Sequence, residues 1–187
     1  MRNGKAPYVQ KDTLHRTLQA QQGSHALRNR TILLLSHYLG LRSKELAGLT
    51  VGDVFDLHTG QVKEVVRLTK TKGDKFREAF LVNELARDHV RRYLVTRPAR
   101  PRAPLFLSQK GGAFSPNTMQ KLLHNIYADA GVAATSHSGR RSFATRLIES
   151  GADIYAVMQM MGHSSITTTQ QYFVTSPERL KKFAGVL

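Results

Sequence analysis

Between residues 51 and 81 the spacing of apolar side chains changes from a helical to an alternating pattern, and that change organises the whole chain. Residues 54–55, 62–68 and 76–81 read as strands, joined by turns at His58-Thr59-Gly60 and Lys72-Gly73-Asp74. On both sides the pattern is helical and punctuated by capping residues and glycine stops. Asp12 or Thr13 caps a first helix to about Gln21. Ser24 opens a second, with Leu27, Ile32, Leu35 and Leu39 on one apolar face and Gly40 as its stop. Ser43, Glu45 and Leu46 begin a short helix ending near Leu49. Asn83 caps a helix to about Thr96, followed by a basic connector over 98–104, and Ser115-Pro116 starts one that ends at Gly131. Ser136 caps a helix to Gly151, and Asp153 caps one to Gly162. Ser164 or Ser165 starts a short helix carrying Tyr172, and Ser176-Pro177 starts the last, over 178–184. The expected fold class is α+β, mainly helical, with a small three-stranded antiparallel sheet. A flexible polar arm over 1–11 precedes a single domain over 12–187.

A chain of 187 residues is long enough to bury a real core. Its 28 Lys+Arg against 13 Asp+Glu leave a net charge of +15, which predicts attraction to polyanions and salt-sensitive association. Charge alone fits a ribosomal protein as well as a sequence-specific DNA binder. With no cysteine, neither a disulfide frame nor a thiolate zinc site is available. The longest apolar run, 32–35, is far too short to span a bilayer, so no membrane association is expected. The simplest location is the cytoplasm, on the nucleoid if the source is bacterial.

The chemistry-bearing residues are cations, imidazoles and a phenol. Attack on a phosphodiester builds charge on the non-bridging oxygens, which preorganised guanidinium groups stabilise. The leaving 5′ oxygen needs a proton, which a lysine surrounded by other cations can give. A tyrosine nucleophile keeps the bond energy in a covalent intermediate, so religation needs no ATP. Arg42, Lys72, His137, Arg140, His163 and Tyr172 supply these parts, and the chemistry asks for no metal and no nucleotide cofactor. His137 and Arg140 are three apart at a helix start, placing both on one face near its N-terminus. Each has a plainer alternative. Arg42 could be a surface arginine, His163 a helix cap and Tyr172 a core aromatic; Lys70 and Lys75 compete with Lys72. A zinc site from His137 and His163 would lack further ligands at metal spacing.

In order, Gly40-Leu41-Arg42-x-x-Glu45-Leu46, a hairpin with Lys72-Gly73, His137-x-x-Arg140, Gly162-His163-Ser164-Ser165 and Tyr172 resemble the tyrosine recombinase (phage integrase) family. The likeness covers residues 24–175. It implies that Arg42 and Arg140 clamp the scissile phosphate and that Lys72 is the general acid. It implies further that His137 is a general base or phosphate donor, His163 a phosphate ligand and Tyr172 the nucleophile that leaves a 3′-phosphotyrosine. Glu45 stands where the family has an acidic residue orienting the cations. Gly139 and Arg141 depart from the usual large apolar residue and histidine around the arginine, and glycine there favours close backbone packing.

Family members usually carry an N-terminal helical DNA-clamping domain ahead of the region that residues 24–175 resemble; the expectation is a catalytic domain alone, either part of a longer protein or one of the short recombinases similar to the fimbrial-switch type. Double-stranded DNA is the expected partner, with Arg87, Arg91, Arg92, Arg97, Arg100, Arg102 and Arg141 as candidates for backbone contact, against the reading of a solvated basic face. In the family the C-terminal tail docks into a neighbouring protomer. Leu180, Phe183, Val186 and Leu187 have the spacing for that or for packing on their own core. A monomer in free solution and a homo-tetramer on paired DNA sites are expected. A non-catalytic DNA-binding regulator and a type IB topoisomerase are the two rival readings.

Overall fold

The structure, a computed structural model, describes residues 6–71, 75–97, 100–173, 181, 184 and 185, with backbone alone at 69–71, 75 and 76. Helix α1 (Lys11–Ala20) leads to α2 (Ala26–Leu39), then short α3 (Ser43–Gly48) and α4 (Val51–Val54). The extended region holds β1 (Phe55–Asp56), β2 (Gln61–Val62), β3 (Val65–Thr71) and β4 (Lys75–Phe80). Helices α5 (Glu84–Val95), α6 (Pro116–Ala128), α7 (Ser138–Glu149), α8 (Ile154–Met161) and α9 (Ile166–Gln170) complete the described order.

The mainly helical α+β expectation holds, and the three strand-forming regions are where the alternation puts them. The sheet differs in one respect. The Asp56–Gly60 turn closes tightly, with Gly60 at φ 69° and the Asp56 carboxylate accepting from His58 N and Thr59 N, so β1 and β2 pair over only two positions. The chain then changes partner. Lys63 N donates to Val54 O (2.8 Å), and Leu81 N donates to Glu64 O (2.7 Å), before β3 pairs with β4. Two antiparallel ribbons, β1–β2 and β3–β4, therefore stand in place of one three-stranded sheet.

Helix α2 is the axle of the larger core. Ile32, Leu33, Leu34 and Leu35 are all fully buried, so this helix is covered all round rather than on one face. It packs against α5 on one side and α7 on the other. A smaller cluster of Phe143, Ala144, Ile148, Val157 and Met161 joins α7 to α8, with Tyr172 and Phe173 packed on its edge. Four caps fall as read: Asn83, Ser115, Asp153 and Ser165 each accept a backbone N–H of the helix they start. At α1 the N-cap is Gln10, with Asp12 and Thr13 already inside the helix, and at α2 it is His25 rather than Ser24. At α7 the N-cap is His137, not Ser136; Ser138 instead accepts from Thr135 N. Helix α9 ends before Tyr172, which lies in the following turn with its N–H on Thr169 O (3.0 Å). Within the expected arm, Val9 is buried and donates its N–H to Ser142 Oγ (2.8 Å), so the segment is docked at that point. Residues 1–5 and most of the C-terminal tail, including Leu180, Phe183, Val186 and Leu187, lie outside the described residues.

Gly139 serves the close approach of α7 to α2. A Cβ there would stand 2.5 Å from Ser36 Oγ and 3.1 Å from the Ser36 backbone carbon, and the backbone of a central helix cannot retreat. Gly139→Ala is expected to cost about 1–3 kcal/mol through overpacking. Urea unfolding of the variant against the parent measures it, and an unchanged midpoint would refute the tight α2–α7 contact.

Candidate active site

The last turn of α8 is the centre of the site. A helix ends with carbonyls that have no partner inside it, and here each one is satisfied. Gly162 takes the left-handed conformation (φ 60°, ψ 45°), so its N–H reaches Gln159 O and His163 N reaches Met158 O. Arg77 donates to Met160 O (2.6 Å), Arg140 donates to Met161 O, and Arg42 donates to Gly162 O (3.3 Å). Three guanidinium groups from β4, α7 and the start of α3 thus meet at the negative end of one helix.

Glu45 ties two of them together. Its side chain is 5% exposed and receives a bidentate pair from Arg77 (3.0 and 2.7 Å), with Arg42 Nη1 at 3.1 Å. It also accepts from Arg42 N (2.6 Å), closing the first turn of α3. Burial pushes the carboxyl up, but the hydrogen bonds and charge of Arg77, the Arg42 N–H and the charge of Arg140 outweigh it and hold Glu45 below its ordinary value. Arg140 is 4% exposed and also donates to Gly40 O (2.6 Å), the C-cap carbonyl of α2. Its pKa is pushed down to about 9 by burial first and then by Arg42 and Arg77, which leaves it cationic at neutral pH.

Two imidazoles border the cations. His163 Nδ1 is 2.9 Å from the buried Thr169 hydroxyl, and its ring stacks on Tyr172 at 6.0 Å between centroids. Desolvation, then the charges of Arg140, Arg42 and Arg77, lower its pKa to about 4. His137, at the N-cap of α7, is lowered by desolvation and then by Arg140 and Arg42. Both rings are therefore neutral at neutral pH. Tyr172 is half-buried.

Arg42, Glu45, His137, Arg140, His163 and Tyr172, spread over most of the sequence, are thus gathered at one place. Lys72 lies outside the described residues. The arginines suggested for DNA contact divide. Arg87 donates to Leu81 O and Val62 O (both 3.0 Å), and Arg97 donates to Pro104 O and Leu105 O (both 2.7 Å), so both are committed to the protein's own backbone. Arg91 and Arg92 are exposed beside Asp88, Arg100 and Arg102 are exposed, and Arg141 is half-buried. The sequence reading missed Arg77 and Thr169. Arg77 had a signal, because it sits two residues before Ala79 and four before Leu81, on the buried face of the strand. Thr169 had none, being the last of three consecutive threonines.

Arginines, imidazoles and a phenol gathered at one helix end form a cluster of hydrogen-bond donors suited to anionic oxygens. The family model described as the phage integrase family matches residues 7–179, and the chain belongs to that family. Tyrosine recombinase XerD of Corynebacterium glutamicum is 38% identical over 162 residues, covering 83% of this chain and 51% of that protein. Tyrosine recombinase XerA of Thermococcus kodakarensis is 38% identical over 157 residues, covering 83% and 54%. The chain therefore spans about half the length of these relatives. Among solved structures, the XerA recombinase superposes with a TM-score of 0.77 at 27% identity, covering 96% of this chain and 65% of that one. XerH bound to its palindromic difH substrate in a post-cleavage complex gives 0.75 at 27%, covering 98% and 54%.

The neutral histidines give the fold a defined acid response. His37 is buried on α2, and Arg146 donates to its Nε2 and to its carbonyl, which requires the uncharged ring. Burial, then Arg146, lower its pKa to about 3. A histidine whose folded pKa is depressed stays neutral in the fold while the unfolded chain takes up the proton. Stability is then complete above the unfolded value near 6.5 and falls as pH drops from there towards about 4 for His163 and about 3 for His37. The buried His37 is expected to contribute a slope of up to about 1.4 kcal/mol per pH unit. Urea unfolding at pH 7, 6 and 5 checks this, and His37→Gln should flatten the profile; pH-independent stability of the parent over that range would contradict it.

Proposed function

We propose that the chain is the catalytic domain of a site-specific DNA recombinase that cuts and rejoins double-stranded DNA through a covalent 3′-phosphotyrosine. The observation that carries this is the meeting of Arg42, Arg140, two neutral imidazoles and Tyr172 around the end of α8. Recombinase relatives at 38% identity support it. In the reaction, Tyr172 Oη attacks phosphorus, the bond to the 5′ oxygen breaks, and the phosphate remains on the phenol oxygen with the DNA 3′ end. Neutral His137 accepts the phenol proton, and Lys72 donates one to the leaving 5′ oxygen. Arg42, with 30% of its side chain exposed, meets the phosphate oxygens. Arg140, 4% exposed, acts through its charge. His163, held at Nδ1 by Thr169, offers Nε2 to the phosphate. The reverse sequence rejoins the strand.

The partner is double-stranded DNA, bound with strong salt dependence given the +15 charge, and Arg91, Arg92, Arg100, Arg102 and Arg141 are the candidates for backbone contact. Assembly as a homo-tetramer on paired sites from monomers in solution, in the DNA-bearing compartment of the cell, completes the reading.

A nicked suicide duplex tests it. The parent is expected to give a covalent adduct on a denaturing gel, and Tyr172→Phe to give none. Arg42→Ala and Arg140→Ala should slow adduct formation by at least about 100-fold, with DNA binding much less affected. Good binding without an adduct would instead identify a DNA-binding regulator. Relaxation of a one-site supercoiled plasmid without recombination of a two-site plasmid would identify a topoisomerase.

A further inference from the structure

We propose that Arg77 is a positioning residue for strand cleavage, fixing the Glu45 carboxylate to the end of α8 so that Arg42 and His163 are held at one separation. The inference deepens the recombinase reading and rests on it. Arg77 projects from the inward face of β4, and its side chain is 10% exposed. One face of its guanidinium fork is filled by the two Glu45 oxygens, and Nη1 reaches across to Met160 O. Its stem lies over Gly162, where a Cβ would come within 2.3 Å of Arg77 Cδ.

One planar group therefore joins its own strand to two other pieces of chain, and each of those two carries a candidate for the reaction. Glu45 holds Arg42, and Gly162 immediately precedes His163. Three of the five guanidinium N–H groups are spent on these contacts, so Arg77 acts through its neighbours rather than on a phosphate. A lysine cannot reproduce the arrangement, because a single ammonium cannot meet a carboxylate bidentately and cap a helix carbonyl in the same plane. Without the clamp, Glu45 still attracts Arg42 but is no longer referenced to α8. A displacement of about 1 Å among reacting groups is worth about 100-fold in rate.

The test compares the parent with Arg77→Lys and Arg77→Gln in single-turnover adduct formation on the nicked duplex at saturating protein. DNA affinity by fluorescence anisotropy and stability by urea unfolding are followed in parallel. Both variants are expected to lose at least about tenfold in adduct rate while DNA affinity stays within about threefold. In a Glu45→Gln background, Arg77→Lys should add little, because both changes break one contact. Carboxyl NMR supplies a readout independent of activity. The groups facing Glu45 are Arg42, Arg77 and Arg140, so losing the Arg77 cation should raise the pH at which Glu45 titrates. An unchanged adduct rate, or an unchanged Glu45 titration, overturns the proposal. So does a parallel loss of DNA affinity, which would make Arg77 a phosphate contact. A parent that binds DNA without any adduct removes the recombinase reading and the cleavage role with it; the Glu45 titration alone then reports whether the clamp exists.

Discussion

The capping of one helix terminus by three arginines is the interaction on which the site depends. Carbonyls at a helix end must find donors, and the C-terminal end of α8 carries the equivalent of roughly half a negative charge. Arg77, Arg140 and Arg42 satisfy Met160, Met161 and Gly162 in succession, while Glu45 supplies a full negative charge among them. Each requirement answers another. The helix end would be left unsatisfied without the guanidinium groups, and the guanidinium groups would repel one another without the helix end and Glu45.

The balance still leaves excess positive charge around a largely buried carboxylate. Its consequences reach the neighbouring groups. His163 and His137 are kept neutral, partly by desolvation and partly by the nearby arginines. The phenol of Tyr172 is brought alongside by packing on the small core of Phe143, Ala144, Ile148, Val157 and Met161 and by stacking on His163. Electrostatics thus sets the protonation states, and hydrophobic packing sets where the rings stand.

Helix positions were legible because caps and stops are local: Asn83, Ser115, Asp153 and Ser165 each act on a residue two or three positions away, and Gly40 and Gly162 both take the left-handed conformation. The motif residues were legible as a series because each carries distinctive chemistry. Less legible was anything set by a distant partner. The extended segment 62–68 reads as one strand, yet its two halves pair with different strands. Arg87 and Arg97 read as surface cations, yet both are spent on carbonyls brought near by the fold.

The linear sequence by itself determined the mainly helical class, the approximate positions of the helices, the strongly basic charge and the identity of most groups gathered at the site. These follow from propensity, capping and side-chain chemistry, which act within a few residues. Only the tertiary structure decided which cations are committed internally, which neutral histidines the fold enforces, and that Arg77 belongs with Arg42 and Arg140. Those outcomes depend on burial and on charges at a few ångströms between residues tens of positions apart, and the spacing of letters along a chain carries no record of that distance.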